Sequence, residues 1–311
     1  MSDMDTSTAF TPGPPRGRRL RFWRPSSAAL LSLPATLSVL ILFIYPFIYG
    51  LILSLHGGYY GEKDWTVANY VKLFTDPQVG IWRTILTTLA IALPTTLVSV
   101  GISIPLAYYM RRGIRFERLI TTLLVLPITL GSVMVAQSML KYFGPTGWFS
   151  RVLQLLHILN SPLFILRTKT AVDIALFIQG FPFVFLLILG YMSAINPDLE
   201  RASRMLGASS WQTFRRVIWP LALPGVAVAF CLNFVANFGV FPSAVVVGDP
   251  TSDTHVIAIA AYQTAFSDYN LPLGTAIALV MGAIQLVVIA LVLWLQSRVA
   301  RGAAISGGKG A

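Results

Sequence analysis

Six long apolar stretches constrain the fold of this 311-residue chain more than any other feature. A helix needs about 20 mainly apolar residues to cross about 30 Å of hydrocarbon. Only 11% of the residues are charged, which is too few to cover a water-soluble globule of this size. The sequence therefore predicts an all-α, polytopic membrane protein with six transmembrane helices. The predicted spans are Ala28–Leu55, Thr84–Met110, Arg118–Leu140, Thr170–Ile195, Leu221–Val247 and Leu273–Gln296.

The distribution of basic residues predicts the orientation. Sixteen lysines and arginines lie in the two tails and in the loops after the second and fourth spans, whereas the remaining loops hold seven. Because basic residues concentrate on the cytoplasmic side, both termini should be cytoplasmic. We predict cytoplasmic tails at residues 1–27 and 298–311 around a membrane domain at 28–297. This asymmetry accounts for the net charge of +11, so we expect contact with membrane lipid and none with nucleic acid.

Residues for catalysis or metal binding are scarce. The chain has one cysteine and three histidines, and no G-x-x-x-x-G-K-[ST] phosphate-binding loop. No triad, paired carboxylates or metal motif clusters at one depth of the predicted bundle. We therefore expect no catalytic residues, no metal site and no cofactor bound by this chain.

Neutral polar residues inside the spans suggest a pathway. Such residues are costly toward lipid, so they should face protein or water. We predict that Gln179, Asn233, Asn237 and Phe241 line a translocation path, with interhelical hydrogen bonding as the alternative for the two asparagines. Asp173 is the one acidic residue near a span, and we expect it at the outer interface. This scarcity of ionisable groups favours an externally powered conduit over an ion-coupled carrier.

The segment 196–219 carries the strongest local signal. Asn196 is a good N-cap and Pro197 suits the first helical position. Gly207 is a natural left-handed residue at a helix end. Ser209 and Gln212 match a capping box, which starts a second helix. The pattern predicts two short helices, joined at a glycine and held between two spans on the cytoplasmic side.

Three interpretations of this segment remain. The pair could lie on lipid headgroups as an amphipathic surface element. A DNA-binding helix-turn-helix is disfavoured, because both ends are tethered to the bilayer. In the third interpretation, the capped pair is a rigid protrusion on which a cytoplasmic partner docks.

The segment resembles the cytoplasmic loop of the permease subunits of binding-protein-dependent ABC importers, the type I or MetI-like class. That family's pattern reads E-A-A, three residues, G, about nine residues, then I-x-L-P. The matching positions are Arg201-Ala202-Ser203, Gly207 and Val217-Ile218-Trp219-Pro220. Arg201 stands at the family's glutamate position, with Glu200 one residue earlier. The resemblance implies an ATPase-coupling loop whose residues are Glu200, Arg201, Ala202, Ser203, Gly207, Ala208, Val217 and Pro220.

The resemblance also implies partners and a substrate class. The expected partners are a dimer of ATP-binding subunits, a second related permease and an extracytoplasmic substrate-binding protein, in the bacterial inner membrane. Phe181-Pro182-Phe183 and residues 237–241 resemble the subgroup that imports polyamines, thiamine, iron(III) or phosphonates. Polyamine is the first expectation, and the other three are alternatives. An ion-coupled secondary carrier and a membrane scaffold without transport are alternatives of other classes.

Overall fold

The computed structural model describes residues 27–57, 65–77, 79–113, 117–145, 147–157 and 165–307. Almost all of the predicted N-terminal tail lies outside these residues. The chain divides into two compact units, residues 1–48 and 49–311. The second unit contains the whole of the predicted coupling loop and all of the predicted pathway residues.

All the secondary-structure elements in the described part of the chain are helices, and none is a β-strand. In the described part of the chain, five helices are long and apolar enough to cross a membrane: Ser32–Ser54, Ile81–Met110, Lys169–Ser193, Ser210–Phe238 and Leu271–Arg298. The helices are α1 Ser27–Ser54, α2 Ala68–Thr75, α3 Ile81–Met110, α4 Glu117–Thr129, α5 Ser132–Phe143, α6 Trp148–Leu155, α7 Lys169–Ser193, α8 Pro197–Met205, α9 Ser210–Thr213, α10 Trp219–Phe238, α11 Pro242–Val246, α12 Ile257–Tyr262 and α13 Leu271–Gly307, with π-helical turns at Phe214–Ile218 and Gln263–Ser267.

The third predicted span is apolar enough to cross a membrane, but it is broken into two helices instead of forming one continuous helix. Leu119–Thr129 and Ser132–Leu155 meet at an angle of 102°. Pro127 removes a backbone donor near the end of α4, and Gly131 adopts an extended conformation at the start of α5. The two backbone effects lie within five residues of each other, which explains why an evenly apolar sequence bends here.

The fifth and sixth predicted spans have different bounds in the structure. The fifth helix begins at Ser210 and passes through the π-helical turn Phe214–Ile218 without a break. A proline in a regular helix clashes with the carbonyl four residues before it, and the wide turn just ahead of Pro220 relieves that clash. The helix ends at Phe238, and Pro242 then starts α11 as a separate short helix. Helix α13 continues to Gly307, beyond the predicted end at Gln296.

Helices α3, α7 and α10 form the centre of the bundle. The contact between α3 and α7 is the most extensive in the described part of the chain, and α10 packs on both. Helix α3 buries a row of hydroxyl side chains, and several of them donate to the carbonyl four residues earlier, as Thr88 and Ser103 do. Small hydroxyl residues allow close approach of helices inside a membrane.

Several side-chain hydrogen bonds join elements across this bundle. Thr88 Oγ1 accepts from the backbone N–H of Ile257 at 2.9 Å, which links α3 to α12. Thr95 Oγ1 donates to Asp173 Oδ1 at 2.9 Å and links α3 to α7. The half-buried Asp173 is therefore held by a neighbouring helix. Gln285 Nε2 donates to the Val235 carbonyl and connects α13 to α10.

Candidate functional site

Helix α8 begins as the sequence predicts. The Asn196 side chain accepts from the backbone N–H of Asp198 at 2.9 Å, and Pro197 occupies the first turn. An asparagine cap satisfies one of the donors that a helix start leaves without partners. The cap therefore sets the first residue of α8, three residues after α7 ends at Ser193.

The turn after α8 is also confirmed. Gly207 has a φ of +83°, and a side chain added there would meet nothing within 4 Å. The backbone conformation, rather than space, is what requires glycine at this position. The capping box follows, since Gln212 N–H donates to Ser209 Oγ at 3.3 Å and Ser209 N–H donates to Gln212 Oε1 at 2.9 Å.

Helix α8 presents its apolar residues outward. Met205 and Leu206 are 88% and 89% exposed, and Leu199 is exposed as well. Glu200 is buried on the opposite side. Helix α8 exposes its apolar residues and buries a carboxylate. Specific polar contacts, rather than the hydrophobic effect, therefore hold this helix in its position.

Three arginines surround the buried Glu200 carboxylate. Arg204 donates to Oε1 at 2.6 Å and Arg112 to the same oxygen at 2.8 Å. Arg111 donates to Oε2 at 3.3 Å, and the Tyr108 hydroxyl lies 3.3 Å from Oε1. Two of the arginines and the tyrosine lie at the C-terminal end of α3, so these contacts tie α8 to α3. We call these five residues the Glu200 cluster.

The Glu200 cluster carries more positive than negative charge. The Arg111 side chain is 4% exposed, and its Nη1 has no partner among the residues that the structure describes. Partial burial lowers the pKa of the Arg112 guanidinium, but Tyr108 and the Glu200 carboxylate beside it raise this pKa by more, so the net shift is upward. Arg112 also lies over the Tyr108 ring at 5.0 Å. Three guanidinium groups thus share one carboxylate.

The remaining predicted coupling residues occupy different environments. Arg201 is 76% exposed and pairs with the exposed Asp198 at 2.8 Å. Ser203 bonds to Thr213 at 3.0 Å and joins α8 to α9. The other predicted coupling residues in this group have no side-chain group that can form a hydrogen bond. Ala202 is exposed and Ala208 half-buried, and Val217 and Pro220 are half-buried around the π-helical turn.

A cavity of about 380 Å³ lies where α7 and α10 face each other. Three of the four predicted pathway residues are in its wall. None of the described residues in this wall is charged. The lining residues are Ile128, Ser132, Leu176, Gln179, Gly180, Phe183, Leu232, Asn233, Ala236, Asn237, Gly239, Val240, Pro242 and Ser243.

The two asparagines of the cavity differ in their hydrogen bonding. Asn237 Nδ2 donates to Thr96 Oγ1 at 3.0 Å, so this residue also serves as an interhelical contact. Asn233 is 2% exposed, and its Nδ2 has no partner in the described part of the chain. A side chain at Gly180 would place its Cβ 2.5 Å from Asn233 Oδ1. The amide of Asn233 therefore depends on the glycine opposite it for space.

Phe241, the fourth predicted pathway residue, is not among the residues that line this cavity. Its ring lies 5.1 Å from that of Tyr262, on α12. Arg111, Arg112 and Tyr108 were missed at the level of sequence, where the arginines served only to orient the chain. The signal that identifies their role is spatial, since they stand about ninety positions before Glu200.

A family profile described as "Binding-protein-dependent transport system inner membrane component" matches residues 99–303. The matched segment includes both the Glu200 cluster and the cavity. It covers two thirds of the chain, which extends the likeness far beyond the short motif in the loop.

Several curated proteins are similar to the chain. It is 28% identical over 276 residues to the trehalose transport system permease protein SugA of Mycobacterium tuberculosis, covering 87% of this chain and 86% of SugA. It is 26% identical to a probable starch degradation products permease protein, AmyD, of Thermoanaerobacterium thermosulfurigenes, covering 85% and 92%. It is 30% identical to the spermidine/putrescine permease protein PotB of Haemophilus influenzae, but over 59% of this chain and 63% of PotB.

The fold is also similar to solved structures. A subunit of a bacterial ABC transporter involved in the import of the polysaccharide alginate superimposes with a TM-score of 0.73 at 20% identity. The alignment covers 87% of this chain and 95% of that one. The helices of this chain therefore adopt an arrangement that occurs in a known membrane subunit.

Proposed function

The chain belongs to the family of binding-protein-dependent transport system inner membrane components, and from this premise we propose that it forms half of the substrate pathway of an ATP-driven sugar importer. Members of this family are transport components, and the chain is a multi-pass protein of the inner membrane. A second, related permease completes the pathway, and an extracytoplasmic binding protein delivers the substrate. Both termini lie in the cytoplasm, where two ATP-binding subunits dock.

The lining of the 380 Å³ cavity is the observation that supports a sugar. It offers neutral amides and hydroxyls from Gln179, Asn233 and Ser243, next to the apolar ring of Phe183. Amides donate to and accept from hydroxyl groups, and an aromatic ring suits the apolar face of a sugar. The two relatives that cover most of the chain, SugA and AmyD, carry names of carbohydrate transport systems.

Polyamine, our first expectation from the sequence, remains the second candidate substrate. The likeness to PotB supports it, although over a shorter stretch. A polyamine carries several positive charges, which are costly to bring into a cavity without carboxylates. None of the described residues that line the cavity is acidic, and Asp173 is not among them. The chemistry of the cavity thus favours the neutral substrate.

Reconstitution into liposomes tests the proposed function. We expect uptake of a labelled disaccharide that requires ATP, the ATP-binding subunits, the second permease and the binding protein together. Omission of the ATP-binding subunits should abolish it. Uptake that persists with an ion gradient alone would identify a secondary carrier instead. Uptake of spermidine without uptake of the sugar would support the proposal of an ATP-driven importer but contradict the proposal that its substrate is a sugar.

Asn233→Leu tests the role of the cavity. The variant removes an amide whose Nδ2 has no partner among the described residues, so we expect thermal stability to change little. One lost hydrogen bond to the substrate is worth about 1 kcal/mol, so uptake at low substrate concentration should fall by about fivefold. Gly180→Ala should have a similar effect, because its Cβ would displace the same amide.

Asn237→Leu is the matched control, four residues away on α10. It breaks the bond to Thr96 and leaves a buried hydroxyl without its partner. We therefore expect a lower thermal midpoint for this variant, with a cost of about 1–3 kcal/mol. Equal uptake by the wild type and the Asn233→Leu variant would contradict a substrate contact at Asn233.

A further inference from the structure

An arginine-lined pocket lies between the C-terminal end of α3 and the first two turns of α8. Its volume is about 220 Å³, and the residues that line it are Arg112, Pro197, Glu200, Arg201 and Arg204. One water molecule needs roughly 10–15 Å³ of such space, so the pocket has room for a group of several atoms. We call it the arginine pocket.

The Glu200 carboxylate does not neutralise the arginines around it. Its Oε1 accepts from Arg112 and Arg204, and its Oε2 accepts from Arg111, whose Nη1 has no partner in the described part of the chain. Three guanidinium groups thus share one negative charge. The side chains of Arg112 and Arg204 are partly exposed, and each guanidinium has more N–H donors than these bonds use. The arginine pocket is therefore a place where a second anion finds both positive charge and hydrogen-bond donors.

The arginine pocket lies at the level where a membrane span ends. Helix α3 has 30 residues and is about 45 Å long, which matches the roughly 40–45 Å of a bilayer with its headgroups. Arg111 and Arg112 follow directly after its last residue. Tyr109 in the last turn of α3 and Tyr191 near the end of α7 are both exposed, as tyrosines at a membrane surface typically are. These features place the pocket level with the lipid headgroups.

The apolar residues of α8 lie on the other side of this helix from the arginine pocket. Leu199, Met205 and Leu206 are exposed, whereas Glu200 is buried on the opposite side, against the end of α3. A protein that contacts these apolar residues therefore does not fill the pocket. The anion that the pocket accepts has to come from another source, and the nearest one at this depth is the lipid.

We propose that the arginine pocket binds the phosphate group of an anionic phospholipid from the adjacent leaflet. Arg112, Arg201 and Arg204 donate hydrogen bonds to the phosphate oxygens, while the buried Arg111 adds positive charge behind Glu200. Guanidinium groups match the geometry of phosphate oxygens, and basic pockets between membrane helices suit anionic headgroups. The bound lipid then bridges the end of α3 and the start of α8. This inference goes beyond the proposed function, because it involves neither the transported substrate nor ATP.

Substitutions at the exposed rim of the arginine pocket test the inference. Native mass spectrometry of the purified permease complex in detergent measures binding of dioleoyl phosphatidylglycerol against dioleoyl phosphatidylcholine. Arg201→Gln should weaken binding of phosphatidylglycerol by about fivefold, because it removes one arginine near an anionic headgroup. Asp198→Asn should strengthen that binding, because it releases Arg201 from the carboxylate that it pairs with at 2.8 Å. Arg216→Gln is the matched control and should change nothing, since Arg216 is exposed in the same loop but does not line the pocket.

The outcomes distinguish a lipid site from diffuse charge and from a free ion. Equal losses in Arg201→Gln and Arg216→Gln would show that basic surface charge in general attracts the lipid, which overturns the inference. Equal binding of the two lipids by the wild type would overturn it as well. If inorganic phosphate raises the thermal midpoint of the complex and phosphatidylglycerol does not, the pocket holds a free ion and the lipid assignment is wrong. These measurements use neither sugar nor ATP, so their failure leaves the proposed function untouched.

Discussion

Replacement of Gly207 by valine is expected to uncouple ATP hydrolysis from transport. The φ of +83° is accessible to glycine at little cost, whereas a β-branched residue there is strained by about 1–3 kcal/mol. No atom lies within 4 Å of the added Cβ, so the strain is relieved by a change in the turn rather than by unfolding. The tip formed by Met205 and Leu206 would then point elsewhere. We expect ATP-driven uptake to fall at least about tenfold with normal amounts of protein in the membrane.

Gly207→Asn provides the matched control. Asparagine adopts the left-handed conformation several times more often than other non-glycine residues. The turn should keep its geometry, and uptake should stay close to the wild-type rate. Equal uptake by the valine and asparagine variants would contradict a turn whose conformation matters for coupling.

Replacement of Glu200 by leucine should have the largest effect on stability. It leaves three arginines, one of them 4% exposed, without the carboxylate that they share. Removing one partner of a buried ion pair costs about 3–5 kcal/mol, because a buried charge is left uncompensated. We expect a clear fall in the thermal midpoint of the purified permease complex, together with loss of uptake.

Two comparisons make the Glu200 prediction specific. Asp198→Leu breaks an exposed ion pair two residues away, which is worth at most about 1 kcal/mol, and should change little. The double variant Glu200→Leu with Arg111→Met should recover part of the stability, because it removes the buried cation as well. A thermal midpoint that does not change in Glu200→Leu would show that the cluster does not hold α8 on α3.

The parts of this structure that short-range patterns determine were predicted from the sequence. The Asn196 cap, the left-handed Gly207 and the Ser209–Gln212 capping box each depend on residues within three positions of one another. Apart from the broken third span, the long apolar helices were predicted from the length and apolarity of their sequences. Several of their ends differ from the predicted bounds. The bend near Gly131 was missed because the apolar residues continue evenly across it, so only local backbone geometry distinguishes two helices from one.

Contacts between distant residues were not predictable in the same way. Glu200 was predicted only as a member of the coupling loop, whereas in the structure it faces inward and bonds to arginines that precede it by 88 and 89 positions. The asparagines of α10 share one face, as their spacing predicts. Their different bonding depends on Thr96 and Gly180, which other helices supply. A single sequence gives no means of pairing such residues.

The unbroken helix from Ser210 to Phe238 connects the loop after α8 to the wall of the cavity. Its 29 residues span about 43 Å, and no loop between Trp211 and Asn233 can absorb a displacement. If this rod pivots about its middle by about ten degrees, each end swings by roughly 4 Å, in opposite directions. A displacement of the Ser210 end would then produce an opposite swing at the cavity, and its amplitude would grow with the length of the helix.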